Sequence, residues 1–190
     1  MNTYEEDIEQ SVRVLHNGGL ILYPTDTIWG IGCDATNGRA VDKIYRLKKR
    51  ENSKSMIILV ADDKDLLTYV GRPDIRVFDY MKGVSKPTTV IYDRATGVAK
   101  NLISDDGSIG IRIVKDPFCK ELVSKFGRAI VSTSANISTY PAPSVFTDID
   151  VAIKNGVDYI VQHRQDDLQM SQPSAIVRWN RNGIPTIIRK

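Results

Sequence analysis

Short apolar runs bounded by glycine, proline and charged residues alternate along the whole chain with segments whose apolar residues recur every three to four positions. That alternation confines the chain to a sheet layered with helices. Leu20-Ile21-Leu22-Tyr23, closed by Pro24, reads as a buried strand. Before it, Ile8, Val12 and Leu15 keep helical spacing behind a capping box of Thr3 and Glu6, which predicts a helix over about 4–17, stopped by Gly18-Gly19. The same reasoning predicts helices over 39–49, 62–69, 74–81 and 148–155, and strands over 56–60, 88–92, 108–114, 129–132 and 159–161. Asp116 caps a further helix whose first residue is Pro117 and which ends before Gly127. A closing hairpin pairs 175–179 with 186–189 through Asn180-Arg181-Asn182-Gly183. Irregular interleaving plus a tight hairpin predicts an α/β (α+β) fold with a mixed sheet.

The 190 residues suit a single domain over 1–190, with no repeat or linker dividing it. A content of 42% hydrophobic and 26% charged residues excludes a disordered chain, and apolar runs no longer than one such as Met56 to Ala61 exclude a membrane helix of ~20 residues. The first ten residues carry four acidic groups and no apolar stretch, so neither a secretory signal nor a transit peptide is expected and the location expected is cytoplasmic. Cys33 and Cys119 are 86 positions apart and read as reduced packing thiols. His16 and His163 lie in no ligand pattern, so no protein-held metal site is expected.

Three polar clusters interrupt the hydrophobic pattern where strands end, which is where α/β proteins place their sites. The first, Pro24-Thr25-Asp26-Thr27-Ile28-Trp29-Gly30-Ile31-Gly32, brings two hydroxyls and a carboxylate to a glycine-bearing turn. It suits a small polar ligand and equally a turn that satisfies its own backbone. Its resemblance to a dinucleotide fingerprint fails because Thr36-Asn37-Gly38 breaks the required helix. The second, Lys43, Arg46, Lys48, Lys49, Arg50 and Lys54, opposed only by Glu51, suits a triphosphate, RNA, or simply a solvated helix face. The third, Ser132-Thr133-Ser134-Ala135-Asn136-Ile137-Ser138, offers neutral donors and acceptors suited to phosphate oxygens or an amino acid, though ordinary turns use the same residues. Neither a Walker A sequence nor a nucleophile elbow occurs.

Taken together, Tyr23-Pro-Thr-Asp-Thr-Ile-Trp-Gly30, Lys48-x-Arg50 and Ser132-Thr-Ser-Ala-Asn136 resemble the YrdC/Sua5 family, the threonylcarbamoyl-AMP synthases. Gly110-Ile-Arg112, Pro173-Ser-Ala-Ile-Val177 and Ile187-Ile-Arg189 continue the resemblance in order over nearly the whole chain. It implies a three-layer domain with a twisted mixed sheet around a basic cavity. The implied reaction joins L-threonine, bicarbonate or CO2, and ATP into threonylcarbamoyl-adenylate with loss of pyrophosphate. Other proteins then use the adenylate to modify tRNA. By matching positions, Lys48, Arg50, Ser134 and Asn136 form the catalytic signature. ATP is implied to lie on these residues with Lys54, Ser144 and Arg189, and threonine on Thr27, Arg112, Thr133 and Ser174. Mg2+ is expected on the triphosphate.

The chain departs from the family pattern at Glu51 and Ser55, which replace prolines, and at Trp29, Met56, Thr139 and Ala175. It is also expected to lack the extra C-terminal domain of longer Sua5 members. Two alternatives remain: a YciO-like paralogue with different or no adenylating activity, and a module binding RNA or tRNA weakly. A net charge of 26 − 23 = +3 and few aromatics disfavour the second. Arg112, within an apolar strand, requires either a ligand or a fixed carboxylate, Asp26 or Asp106 being the internal candidates.

Overall fold

The computed structural model describes residues 4–51, 56–180 and 182–190. Helix α1 (Glu5–His16) leads into β1 (Ile21–Tyr23), β2 (Gly30–Gly32), α2 (Gly38–Leu47), β3 (Ile57–Val60), α3 (Asp63–Tyr69), α4 (Arg76–Lys82) and β4 (Thr88–Tyr92). The chain continues through β5 (Ile109–Ile113), α5 (Pro117–Phe126), β6 (Ile130–Ser134), α6 (Val151–Asn155), β7 (Tyr159–Ile160), β8 (Ala175–Trp179) and β9 (Pro185–Arg189). Among the described residues the strands form one nine-stranded sheet in the order β7-β1-β2-β6-β3-β5-β4-β8-β9. Parallel pairs β1/β7, β3/β5 and β4/β8 sit among antiparallel ones, so the sheet is mixed, as expected.

Local chemistry explains the helix ends. Asn37 accepts from the amides of Arg39 and Ala40 to start α2. Asp116 accepts from the Cys119 amide at 2.9 Å, Pro117 opens α5, and Gly127 at φ 75° closes it. Thr3, the proposed cap of α1, lies outside the described residues, as does Arg181 of the closing turn. What the described part of α1 shows is acidic side chains in its first turn and basic ones in its last, both favourable to the helix dipole.

Two differences from expectation bear on the site. Gly30–Gly32 was expected as part of a turn but is a strand between β1 and β6. A Cβ on Gly32 would stand 2.8 Å from Tyr23 Cε1 and 3.0 Å from the Val131 carbonyl, so the close packing of these strands depends on its absence. Residues 24–29 are thereby the loop of a β1–β2 hairpin. Strand β6, expected to end at Ser132, continues to Ser134 and carries Ser132, Thr133 and Ser134 of the hydroxyl cluster in extended form. Elsewhere, the helix expected over 148–155 begins at Val151, because Asp150 caps it by accepting from the Ala152 amide.

Helices pack on both faces, giving three layers. On one face Val41, Ile44, Leu66 and Val77 meet Ile58, Val60, Ile111 and Val131. On the other, Ile8, Leu15, Phe118 and Leu122 of α1 and α5 meet Ile21, Tyr23, Leu59 and Ile130. Register extends this second face: Leu59 is opposite Arg112, Ile57 opposite Ser132, and Thr89 opposite Ile176. Of these, Arg112, Ile57, Ser132 and Ile176 line the cavity described next.

Candidate active site

A cavity of about 280 Å³ opens on this face. Its wall includes Thr27 from the β1–β2 loop, Arg50 from the segment after α2, Arg112 from β5, Ser132, Thr133 and Ser134 from β6, Ser174 before β8, and Arg189 from β9. Trp29, Met56, Ile57 and Ile176 supply its apolar part. Seven of the residues that the resemblance implied therefore share one wall: Thr27, Arg50, Arg112, Thr133, Ser134, Ser174 and Arg189. Asn136 and Ser144 line a neighbouring space of about 440 Å³ that shares Ala142 with the first. Lys54 lies outside the described residues.

Arg112 is 2% exposed. Its Nη1 donates to Thr27 Oγ1 at 3.2 Å, and its Nη2 stands 3.2 Å from Asp26 Oδ1. The internal carboxylate is thus Asp26; Asp106 instead accepts from Arg178 at 2.6 Å. Thr27 is fixed in turn, its amide donating to Thr25 Oγ1 at 3.0 Å and its hydroxyl 2.9 Å from that oxygen. The Thr25 hydroxyl itself donates to the Ile28 carbonyl at 2.8 Å, so the loop arrives at the cavity with its geometry set.

The signature lysine occupies a different position from the signature arginine. Lys48 is 1% exposed and is absent from the lining of this cavity. Its Nζ donates to the Ser134 carbonyl, to the Asn136 carbonyl at 2.5 Å and to Asn136 Oδ1 at 3.4 Å. The Lys48 carbonyl also accepts from the Ser138 amide at 2.8 Å, so the two motifs are bolted together. Burial, and then the adjacent Arg50, lower the Lys48 pKa from 10.5 to about 7. Arg50 follows Lys49, whose φ of 49° is left-handed and costs on the order of 1 kcal/mol for a side-chain-bearing residue. The Arg50 amide closes this turn on the Tyr45 carbonyl at 2.9 Å, and the reversal sends the next side chain to the cavity wall.

On the far wall, Arg189 Nε donates to the Ser174 carbonyl at 3.0 Å. Burial and the neighbouring Arg112 both lower the Arg189 pKa, which places two like charges beside one space. The Ser174 hydroxyl lies 3.0 Å from Thr89 Oγ1, a contact that sequence reading missed. A pair of threonines opening the otherwise apolar run Thr88-Thr89-Val90-Ile91-Tyr92 was the available signal. Both cysteines are buried and free, and burial pushes their thiols upward. Among the described residues no helix is long and apolar enough to cross a membrane.

The fold and this wall define a class: a mixed α/β domain with a cavity lined by hydroxyls and guanidinium groups. The Sua5/YciO/YrdC family model, described as "Telomere recombination", matches residues 13–190, and the chain belongs to that family. The threonylcarbamoyl-AMP synthase of Hahella chejuensis is 31% identical over 170 residues, which cover 89% of this chain and 91% of that protein. The structure of P. abyssi Sua5 complexed with L-threonine superposes with a TM-score of 0.85 at 20% identity, over 97% of this chain but 54% of that one. The E. coli YciO structure gives 0.83 at 22% identity, over 97% and 89%. At such identities the two structures establish the fold.

Proposed function

We propose that this protein is an L-threonylcarbamoyl-AMP synthase, a nucleotidyltransferase that forms threonylcarbamoyl-adenylate and pyrophosphate from L-threonine, bicarbonate or CO2, and ATP. The observation that carries this reading is the convergence of Arg50, Arg112 and Arg189 with the hydroxyls of Thr27, Thr133, Ser134 and Ser174 on one cavity wall. The name of the relative from Hahella chejuensis supports the same activity.

In this reading the threonine amine takes up CO2, and a carbamate oxygen attacks the α-phosphorus as pyrophosphate leaves. No covalent protein intermediate is required; the chain positions its substrates and meets phosphate charge. Arg112 forks the threonine carboxylate while Thr27, Thr133 and Ser174 orient the rest of the amino acid. Arg50, Ser134 and Arg189 face the nucleotide, with Asn136 and Ser144 in the adjoining space. Lys48 holds the Ser134–Asn136 backbone from behind. Mg2+ arrives with ATP, and the adenylate passes to proteins that modify tRNA.

Pyrophosphate release is expected to require threonine, inorganic carbon and ATP together, measured by omitting each in turn. Undiminished release without threonine would reject the substrate assignment. RNA affinity that falls with salt, in the absence of any release, would instead favour an RNA-binding module. Arg50→Ala is expected to weaken ATP use with the fold intact, since a charged hydrogen bond contributes on the order of 1.5–3 kcal/mol, or roughly ten- to a hundredfold. Arg50→Lys should recover part of this loss, because an ammonium cannot copy the fork. Rates at limiting ATP, with melting temperatures, check both variants.

A further inference from the structure

With side chains only 3% and 9% exposed, Arg112 and Asp26 form a buried charge pair beside the cavity. A buried guanidinium needs a counter-charge whether or not substrate is present, and Asp26 is close enough to provide it. The contact is nevertheless not a hydrogen bond. Neither carboxylate oxygen of Asp26 and not the Nε of Arg112 has a well-aligned hydrogen-bond partner among the described residues, although the backbone N–H groups of Asp26 and Lys115 face that carboxylate and favour its charge. A fork-to-fork pair would align two N–H groups on two oxygens and consume them. Here the carboxylate sits off that axis, so it balances the charge and leaves donors of the guanidinium uncommitted. Arg112 and Thr27 lie on the cavity wall, whereas Asp26 is not part of it.

We propose that Asp26 is a positioning residue: through its charge contact with Arg112 it holds the guanidinium, with donors to spare, in the orientation that receives the carboxylate of the amino-acid substrate. This rests on the reading of Arg112 as the site of the threonine carboxylate. Thr27 sets the other edge of the same guanidinium, so two consecutive residues of one hairpin loop aim a single arginine. Burial raises the Asp26 carboxyl above the ordinary range and nearby Asp116 adds to this, while Arg112 opposes it. A carboxylate that merely competed with substrate for Arg112 would behave in the opposite way, since removing its charge would tighten threonine binding.

Asp26→Asn removes the charge at nearly constant shape, and Asp26→Ser is a second neutral replacement. In pyrophosphate release each is expected to raise the threonine KM on the order of tenfold while the ATP KM stays within about twofold. Combined with Arg112→Lys, Asp26→Asn should add less than about twofold to the threonine KM, because both changes act on one interaction. Unchanged or tightened threonine binding in a folded neutral variant overturns the proposal. Equal rises in both KM values, or loss of folding in both variants, also overturn it by marking Asp26 as a structural counter-ion. If Arg112→Lys leaves the threonine KM unaltered, the reading of Arg112 itself fails; a threonine-specific defect in Arg112→Lys beside an unaffected Asp26→Asn removes only the role given to Asp26.

Discussion

Replacing Arg112 by alanine is expected to raise the threonine requirement by roughly ten- to a hundredfold or more, with a far smaller change in the ATP requirement. The lost fork accounts for the threonine defect. A second loss follows from the geometry, because Asp26, 3.2 Å away and almost fully buried, is left without its counter-charge. Breaking a buried pair from one side costs about 3 kcal/mol, so the melting temperature should fall as well. The two effects separate experimentally. Saturating threonine compensates for a weakened site but does not restore stability, and Arg112→Lys keeps the charge near Asp26 while losing the fork. Measuring threonine dependence, ATP dependence and melting temperature together decides the matter; parallel losses for both substrates would reduce Arg112 to a structural ion.

The next largest effect is expected at Lys48. Lys48→Met keeps the apolar stem and removes the donor that holds the Ser134 and Asn136 carbonyls. Leaving buried acceptors unpaired costs about 1–3 kcal/mol each, so both stability and ATP use should drop even though Lys48 is not on the wall of the central cavity. Arg50→Ala should lower ATP use with little loss of stability, and the contrast distinguishes a residue that shapes the loop from one that meets the phosphates. Lys48 also gives a signature in pH. Its folded pKa of about 7 lies below its ordinary 10.5, so between these values the unfolded chain binds the extra proton. The stability that Lys48 contributes should therefore rise as pH increases from about 7 towards 10, and it is lost as pH falls through the lower value. The neutral amine still has two N–H donors for the two backbone carbonyls. Unfolding free energies of the native protein and Lys48→Met across this range test the sign; a difference that shrinks with rising pH contradicts it.

Helix limits and apolar strands were legible because each rests on local chemistry. Asp116, Pro117 and Gly127 delimit α5 as they stand in the sequence. Strand β2 was not legible, since Gly30 and Gly32 have low strand propensity and Gly32 reveals its purpose only against Tyr23 and Val131, residues that the fold brings beside it. The hydroxyl cluster was visible as a group but read as a loop beyond Ser132; pairing Thr133 with Ile31 and Ser134 with Gly30 carries the strand on to Ser134. Of the site itself, the polar clusters were plain in the sequence. The division of labour between Lys48 and Arg50 was not, because two residues apart in sequence the chain reverses at Lys49, sending one charge under the loop and the other to the cavity. The Thr89–Ser174 contact joins positions 85 residues apart and follows only from the pairing of β4 with β8.

Direct detection of the adenylate is the sharpest test of the proposed synthase activity. The protein is incubated with ATP, L-threonine and isotope-labelled bicarbonate, and the products are separated rapidly and weighed by mass spectrometry. Threonylcarbamoyl-AMP carrying the label in its carbamoyl carbon is expected, formed in step with pyrophosphate and lost in Arg112→Ala at low threonine. Pyrophosphate release without that labelled species, or no product at all from the folded protein with all three substrates, would contradict the proposed activity.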